Sequence, residues 1–438
     1  MQNRISKIIK SKEVKQIIIT LFLRVLGVLT LFGFTLFLTN NYSATIVGEY
    51  EIIRVFLLII GSVIVVGTEH SILYIVGRLT AYNQLENRIG KIYFNIVKII
   101  FFSSIIIIFF FFLIPRNIII DFYNQDYIMY NYIQKAVLFS FFYSLTIFNT
   151  EMLRALNYIN LSELFRNFFK FSIIILGSIV LLYLGNPLWI IDCYIYGFVL
   201  LSMITTLLIV IDIKRKNSVI IEKENHIGEE FTVYSILKKS YPMGISGLCF
   251  FIMLSVDVFL LKKYFGSQTV AYYSIAVKLL TILSMVIVAI NINIAPKVSE
   301  LYHSNERIKL KELLKRSQKI ICIINIPIGL FLILFGKKIL LIFGQNYVDA
   351  YYSMVILVIG QMIASLFGST AITLNMIGQQ QKFKFIILSA TLVNICLNIV
   401  LTPKYGMIGG AISFTISLLF WNSVSFYFFL KKQKISNI

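Results

Sequence analysis

The stretch Ile92-Tyr-Phe-Asn-Ile-Val-Lys98-Ile-Ile-Phe-Phe-Ser-Ser-Ile-Ile-Ile-Ile-Phe-Phe-Phe-Phe-Leu-Ile114 is 23 residues long and carries one charge, on Lys98. A transmembrane helix needs roughly 20 mainly apolar residues. Barrel strands alternate in polarity instead of running apolar throughout. Eleven comparable runs accompany this one, at about 17–38, 50–76, 132–153, 168–184, 188–211, 240–261, 269–295, 320–335, 350–376, 385–401 and 406–430. The ninth and eleventh of the series are short, and the second and eighth are long enough to tilt or bend. An all-α polytopic membrane protein of about twelve transmembrane helices is therefore expected.

Composition agrees. Of 438 residues, 58% are apolar and only 14% charged, where soluble domains run near 25% charged. A soluble enzyme, a nucleic-acid binder and a disordered chain are excluded. The 40 Lys and Arg exceed the 20 Asp and Glu, giving +20. With the N-terminus placed in the cytoplasm, 29 of the 40 cations fall on cytoplasmic segments and 6 on outer loops. That asymmetry is a strong positive-inside signal and predicts both termini in the cytoplasm.

The start of the chain is basic (Arg4, Lys7, Lys10, Lys12, Lys15) and then apolar to Leu38 with no small-residue cleavage site, so it reads as a retained first span. Ile5, Ile8 and Ile9 share one helical face, a spacing that also suits a helix lying on an anionic membrane surface. Cys193, Cys249, Cys322 and Cys396 sit in or beside apolar runs without C-x-x-C spacing, so neither a disulfide framework nor a metal site is expected.

The longest polar stretch, 212–239, falls at the middle of the chain. It reads as a cytoplasmic linker between a six-helix lobe at 1–211 and a second at 240–438. A shift of 223 residues lays Val47, Tyr50, Ile52, Leu57 and Ile59 on Val270, Tyr273, Ile275, Leu280 and Ile282. Six spans and the linker separate such positions, so the lobes would share one orientation, as a parallel repeat about the membrane normal.

Several motifs carry a resemblance. Asp257-Val-Phe-Leu-Leu-Lys-Lys-Tyr-Phe-Gly266-Ser-Gln-Thr-Val-Ala-Tyr-Tyr273-Ser-Ile-Ala276 resembles the junction of the seventh and eighth spans in bacterial polysaccharide flippases. These belong to the multidrug/oligosaccharidyl-lipid/polysaccharide exporter superfamily, and Ala271 stands where they often have Gly. Thr45-Ile-Val-Gly48-Glu-Tyr50, Ala295-Pro-Lys-Val-Ser-Glu300, Leu341-Ile-Phe-Gly344-Gln-Asn-Tyr347 and Leu401-Thr-Pro-Lys-Tyr405-Gly-Met-Ile-Gly409-Gly-Ala411 are similar to the family in the same order. The resemblance implies a MATE-like fold and a bacterial cytoplasmic (inner) membrane location. It also implies export of lipid-linked oligosaccharide repeat units, carried on undecaprenyl pyrophosphate, by alternating access through a cationic cavity between the lobes. No cofactor is implied. Coupling to H+ or Na+ and contact with other polysaccharide-assembly proteins are further expectations.

Charges inside spans are functional candidates once snorkelling is set aside. Lys98 and Lys135 lie roughly 9 Å and 5 Å from an interface and can snorkel. Glu51 and Asp192 sit near the outer interface, and Glu151 pairs with Arg154 at helical spacing. Lys278 lies roughly 13 Å deep and should face a polar cavity or an acidic partner. With Arg24, roughly 10 Å deep, and Arg54, roughly 7 Å deep, it forms the expected set of substrate-binding cavity cations. Asp257, Glu69 and His70 are candidates for ion coupling or ion pairing, and pairing with Lys262 or Lys278 would be a plain structural role for Asp257. Tyr272, Tyr273, Asn291 and Gln361 are candidate sugar contacts, whereas His226 and His303 lie in loops without an assigned role.

Two other function classes fit less well. A drug or small-solute antiporter of the same superfamily would concentrate acids in its spans, yet five of the buried charges here are cations: Arg24, Arg54, Lys98, Lys135 and Lys278. A polytopic glycan polymerase or glycosyltransferase needs a large outer loop or an acidic pair, and the first outer segment, 39–48, has no acid. No catalytic nucleophile–base pair is evident either.

Overall fold

The computed structural model describes residues 12–81, 85–217, 232–304 and 306–435. Two expectations fall outside them: the amphipathic face at Ile5, Ile8 and Ile9, and the middle of the central linker with His226. Among the described residues every regular element is a helix. Hydrocarbon offers the backbone no hydrogen-bond partners, so a segment lying in it must satisfy its own N–H and C=O groups.

The chain resolves into two units, and they are not contiguous in sequence. One comprises residues up to Asn41 together with Phe56–Gly247, and the other comprises Tyr42–Val55 with Leu248–Ile438. Helix α1 is Lys12–Asn41. Helices α2 (Ala44–Val65) and α3 (Thr68–Ala81) follow, with a 46° bend between them. The bend falls at Val66 and Gly67, both at positive φ. The apolar run at 50–76 is thus two helices. The run at 132–153 is also two, α6 (Tyr127–Leu138) and α7 (Ser140–Ala155), bent by 50°. Between these pairs lie α4 (Leu85–Leu113) and α5 (Arg116–Phe122). Helix α8 (Ile159–Leu164) passes through a π-helical turn, Phe165–Phe169, into α9 (Lys170–Tyr183), and α10 is Ile190–Asn217.

In the first unit, α4, α7 and α10 are joined by rings and amides. Tyr93 stacks on Phe148 with centroids 5.9 Å apart and donates to Asn149 Oδ1 at 3.1 Å. Asn149 in turn donates to the hydroxyls of Thr205 and Thr206, at 3.0 and 2.9 Å. Such bonds between helices specify packing where lipid supplies no hydrophobic drive between them.

The remaining elements are α11 (Val233–Met253), α12 (Val256–His303), α13 (Arg307–Ile342), α14 (Tyr351–Ser365), α15 (Thr370–Met376) and α16 (Gln380–Ile435). The ninth expected span is short only in its apolar part, because the polar residues Arg307–Lys319 continue the same helix. Helices α12 and α16 have 48 and 56 residues. At about 1.5 Å per residue each is well over twice the roughly 30 Å hydrocarbon thickness. Both contain a glycine outside helical geometry, Gly266 at φ 83° and Gly406 at φ 57°. Eight stretches among the described residues can cross a membrane, and ten when each bent pair is one span. Two of those stretches, Val233–Ala295 and Gln380–Lys431, run to 63 and 52 residues. Each of these two is long enough for two crossings. A cluster of Val298, Leu301, Leu310, Leu374, Ile377, Ile386 and Phe429 forms one core of the second unit.

Candidate functional site

The second unit buries a three-charge cluster. Glu51 Oε1 accepts from Lys278 Nζ, and its Oε2 accepts from Arg54 Nε at 2.8 Å. The Glu51 side chain is 1% exposed, that of Lys278 6% and that of Arg54 26%. Two cations on one carboxylate give the trio a charge of +1. Lys278 thus has the acidic partner that its depth demanded, and Arg54 is the most exposed member of the three.

Local sequence explains the meeting. Arg54 lies three residues after Glu51, a spacing that places both on one face of α2. One turn earlier is Gly48, and a Cβ there would fall on the Ser267 carbonyl. Only glycine lets α2 come this close to the break that follows Gly266. Gln268 Nε2 then donates to Thr45 Oγ1 at 3.4 Å. With the backbones locked at that crossing, Glu51 and Lys278 reach each other further along the same two helices.

Asp257 stands at the start of α12 and is 2% exposed. Its Oδ2 accepts from the Tyr273 hydroxyl at 2.6 Å, and its Oδ1 from the Val258 N–H at 2.9 Å. The simple structural role, an ion pair with Lys262 or Lys278, is not what the structure contains. Lys262 instead donates to Ser267 Oγ at 2.6 Å. Tyr273, fully buried against Asp257, is not available to a sugar. Tyr272 packs edge-on against Tyr347, with centroids 5.0 Å apart.

The first unit holds a larger network. Glu163, whose side chain is 1% exposed, accepts from Arg24 at 3.1 and 3.3 Å, from Arg154 at 2.6 Å and from Asn167 at 2.8 Å. Arg154 also reaches Glu151 at 3.6 Å, and Arg166 pairs with Glu151. Three arginines on two glutamates again leave +1. The network sits on the π-helical turn, whose i→i+5 bonding changes the direction of the side chains it carries. Gly27, one turn from Arg24, lies directly on the side chain of Asn167. Arg24 is therefore brought to Glu163 by close approach of α1 to that turn.

Of the expected site residues, Lys278 and Arg54 share one cluster, and Arg24 belongs to the other. His70 Nε2 lies 3.6 Å from Glu69 Oε1, and Glu69 Oε2 is buried without a hydrogen-bond partner. Lys135 pairs with Asp192 at 2.6 Å. The sequence reading missed Glu51 and Glu163 as the carboxylates that gather the cations. For Glu51 the three-residue spacing to Arg54 was an available signal. For Glu163 and Arg24, 139 residues apart, there was none. No group of three or more His, Cys, Asp or Glu among the described residues could hold a metal ion.

Residues 242–400 match the MatE family model. A lipid II flippase, MurJ in an inward closed conformation, superposes with a TM-score of 0.70 at 16% identity, over 94% of this chain and 87% of that one. An inward-facing multidrug resistance MATE transporter superposes with a TM-score of 0.67 at 14% identity, over 96% and 98% of the two chains. This chain has the MATE fold. On that fold it is a multi-pass membrane protein. The capsular polysaccharide biosynthesis protein CapF of Staphylococcus aureus is 25% identical over 195 residues, 44% of this chain and 48% of that protein. A Shigella flexneri protein named as an O-antigen transporter is 24% identical over 179 residues, 40% of this chain and 42% of that one. The matches thus span about half the length of these curated relatives. The MATE-fold chain places both of its Glu-centred cation clusters on membrane helices.

Proposed function

We propose that this protein is a flippase that moves lipid-linked oligosaccharide units, carried on undecaprenyl pyrophosphate, across the bacterial cytoplasmic membrane. The observation that carries the reading is the excess of cation over carboxylate in both buried clusters. A pyrophosphate entering hydrocarbon loses its hydration at prohibitive cost. Cations at depth replace that hydration, Arg by bidentate contact and Lys as a point charge. Arg54 and Arg24, 26% and 18% exposed, are the cations that meet the cargo. Lys278 is sealed behind Glu51 and sets the local potential. The polyprenyl tail stays in lipid. The six-helix lobes 1–211 and 240–438, joined by the linker 212–239, rock between inward and outward states. Both termini lie in the cytoplasm, and H+ or Na+ drives the cycle through Asp257 or the Glu69–His70 pair. The names of the polysaccharide-linked relatives and of the lipid II flippase support the substrate class.

The experiment is complementation in a strain lacking the gene. Surface glycan and lipid-linked intermediates are measured for Arg54→Ala and Arg24→Ala at matched protein level. Loss of surface glycan with build-up of the intermediates is expected, and wild-type export by both variants would refute the assignment. A second reading, a cation-coupled small-solute antiporter, is favoured by one observation: a buried Asp257 held by a hydroxyl and an amide. Drug resistance conferred by the wild-type chain, without any glycan phenotype, would select that reading.

A further inference from the structure

The π-helical turn at Phe165–Phe169 carries an arginine, Arg166, to which the export reading gives no part. The apolar run there begins at about residue 168, yet the span in the structure is Ile159–Tyr183, so Arg166 lies within it. It stands seven residues from the start of the span, roughly 10 Å along at about 1.5 Å per residue. A charge at such a depth faces the interior of a bundle or a water-filled cavity, where ion and substrate pathways run. Single π-helical turns inside α-helices are frequent at functional sites.

Arg166 differs from the other arginines of the network in how it is held. Its side chain is 35% exposed, against 23% for Arg154 and 18% for Arg24. Arg24 puts two nitrogens on Glu163, and Arg154 reaches both Glu163 and Glu151. Arg166 has one carboxylate partner among the described residues, Glu151, which Arg154 also contacts at 3.6 Å. When Arg166 swings away, Glu151 therefore keeps a cation. No carboxylate is stranded, and stranding is what makes breaking a buried pair expensive. The Arg24 and Arg166 charges also act on each other and repel. An anion bridging them relieves that repulsion, and guanidinium groups meet phosphate oxygens in bidentate fashion.

We propose that Arg166 is a further cargo-binding residue: it leaves Glu151 and, together with Arg24, takes the pyrophosphate of the lipid-linked cargo in the first unit. The identity of the cargo rests on the flippase reading, and the choice of residue rests on the geometry of the network.

The test titrates purified full-length protein in detergent with undecaprenyl pyrophosphate or phosphatidylglycerol, and reads retention by native mass spectrometry. Arg166→Gln should weaken retention of undecaprenyl pyrophosphate by about tenfold, the loss of a charge-assisted hydrogen bond, and leave phosphatidylglycerol unchanged. A residue that served only to neutralise Glu151 would be dispensable once both charges are gone, so E151Q/R166Q separates the two roles: it should stay as weak as Arg166→Gln. Glu151→Gln alone frees Arg166 and should hold the pyrophosphate lipid at least as well as wild type. Wild-type retention by E151Q/R166Q would overturn the proposal. Weakened retention by Glu151→Gln would do the same, and it decides the matter when the double variant is not monodisperse. Equal loss of both lipids in Arg166→Gln would also overturn it, reducing the residue to a general anion contact. Complementation is scored separately: a wild-type chain that restores no surface glycan, while retention still depends on Arg166, defeats the export reading and leaves the pyrophosphate site standing.

Discussion

The Glu51–Lys278 pair sets a quantitative test of how this protein tolerates charge in its interior. Glu51→Gln removes the carboxylate and leaves the Lys278 ammonium, in a side chain 6% exposed, without its ion pair. Deleting one partner of a buried ion pair costs about 3–5 kcal/mol, because the other charge stays desolvated. The figure counts the Lys278 pair alone, the more buried of the two contacts of Glu51. Replacing both partners, Glu51→Gln with Lys278→Met, removes the stranded charge and should return stability to within about 1–2 kcal/mol of wild type. The assay is denaturant unfolding in micelles for the wild type, both single variants and the double variant. Free energies come from linear extrapolation, and the coupling from the double-mutant cycle. A Glu51→Gln cost under about 1 kcal/mol, or a double variant as unstable as the sum of the singles, would refute the reasoning, because a buried pair must show coupling of at least that size.

Three further outcomes are expected. Gly27→Leu should push α1 off Asn167 and break the Arg24–Glu163 contact, so cysteines placed on those two helices should cross-link less than in wild type; unchanged cross-linking would count against the packing argument. Tyr273→Phe removes the one side-chain donor to the buried Asp257 carboxylate and should cost about 1–3 kcal/mol in the same unfolding assay, while Asp257→Asn keeps an acceptor and should cost less; the reverse order would overturn that account. Ser304→Cys, at an exposed turn after α12, should react with an impermeant maleimide only in inverted vesicles, and labelling from the outside of whole cells would sink the topology.

Much of the architecture was legible because it rests on local chemistry. A run such as Ile92–Ile114 has one low-energy solution in lipid, and the sequence need not be folded to see it. Bends were less visible: Val66 gives no warning of positive φ, and Phe139 none of a 50° turn. The cations Lys278, Arg24 and Arg54 could be singled out from depth alone. Their carboxylates could not, because Glu51 is 227 residues from Lys278 and Glu163 is 139 from Arg24. Glu51 was read as interfacial from its place near the start of a span. What that reading lacked was Gly48, whose missing side chain brings a distant helix within reach.

The crossing of α2 and α12 has an evolutionary consequence. Thr45 and Gln268, which touch there, differ by 223 positions, the same offset that aligns the two halves of the sequence. Under that offset Glu51 corresponds to Ser274, and Lys278 corresponds to Val55. The ion pair therefore has no mirror image: its symmetry-related positions are a hydroxyl and a hydrocarbon. A chain assembled from two copies of its own first half would bring in no lysine for Glu51, and one built from two second halves no glutamate for Lys278. If the protein began as a pair of identical six-helix pieces, this is a place where the pieces became non-interchangeable, each keeping one half of a bond that neither can make with itself.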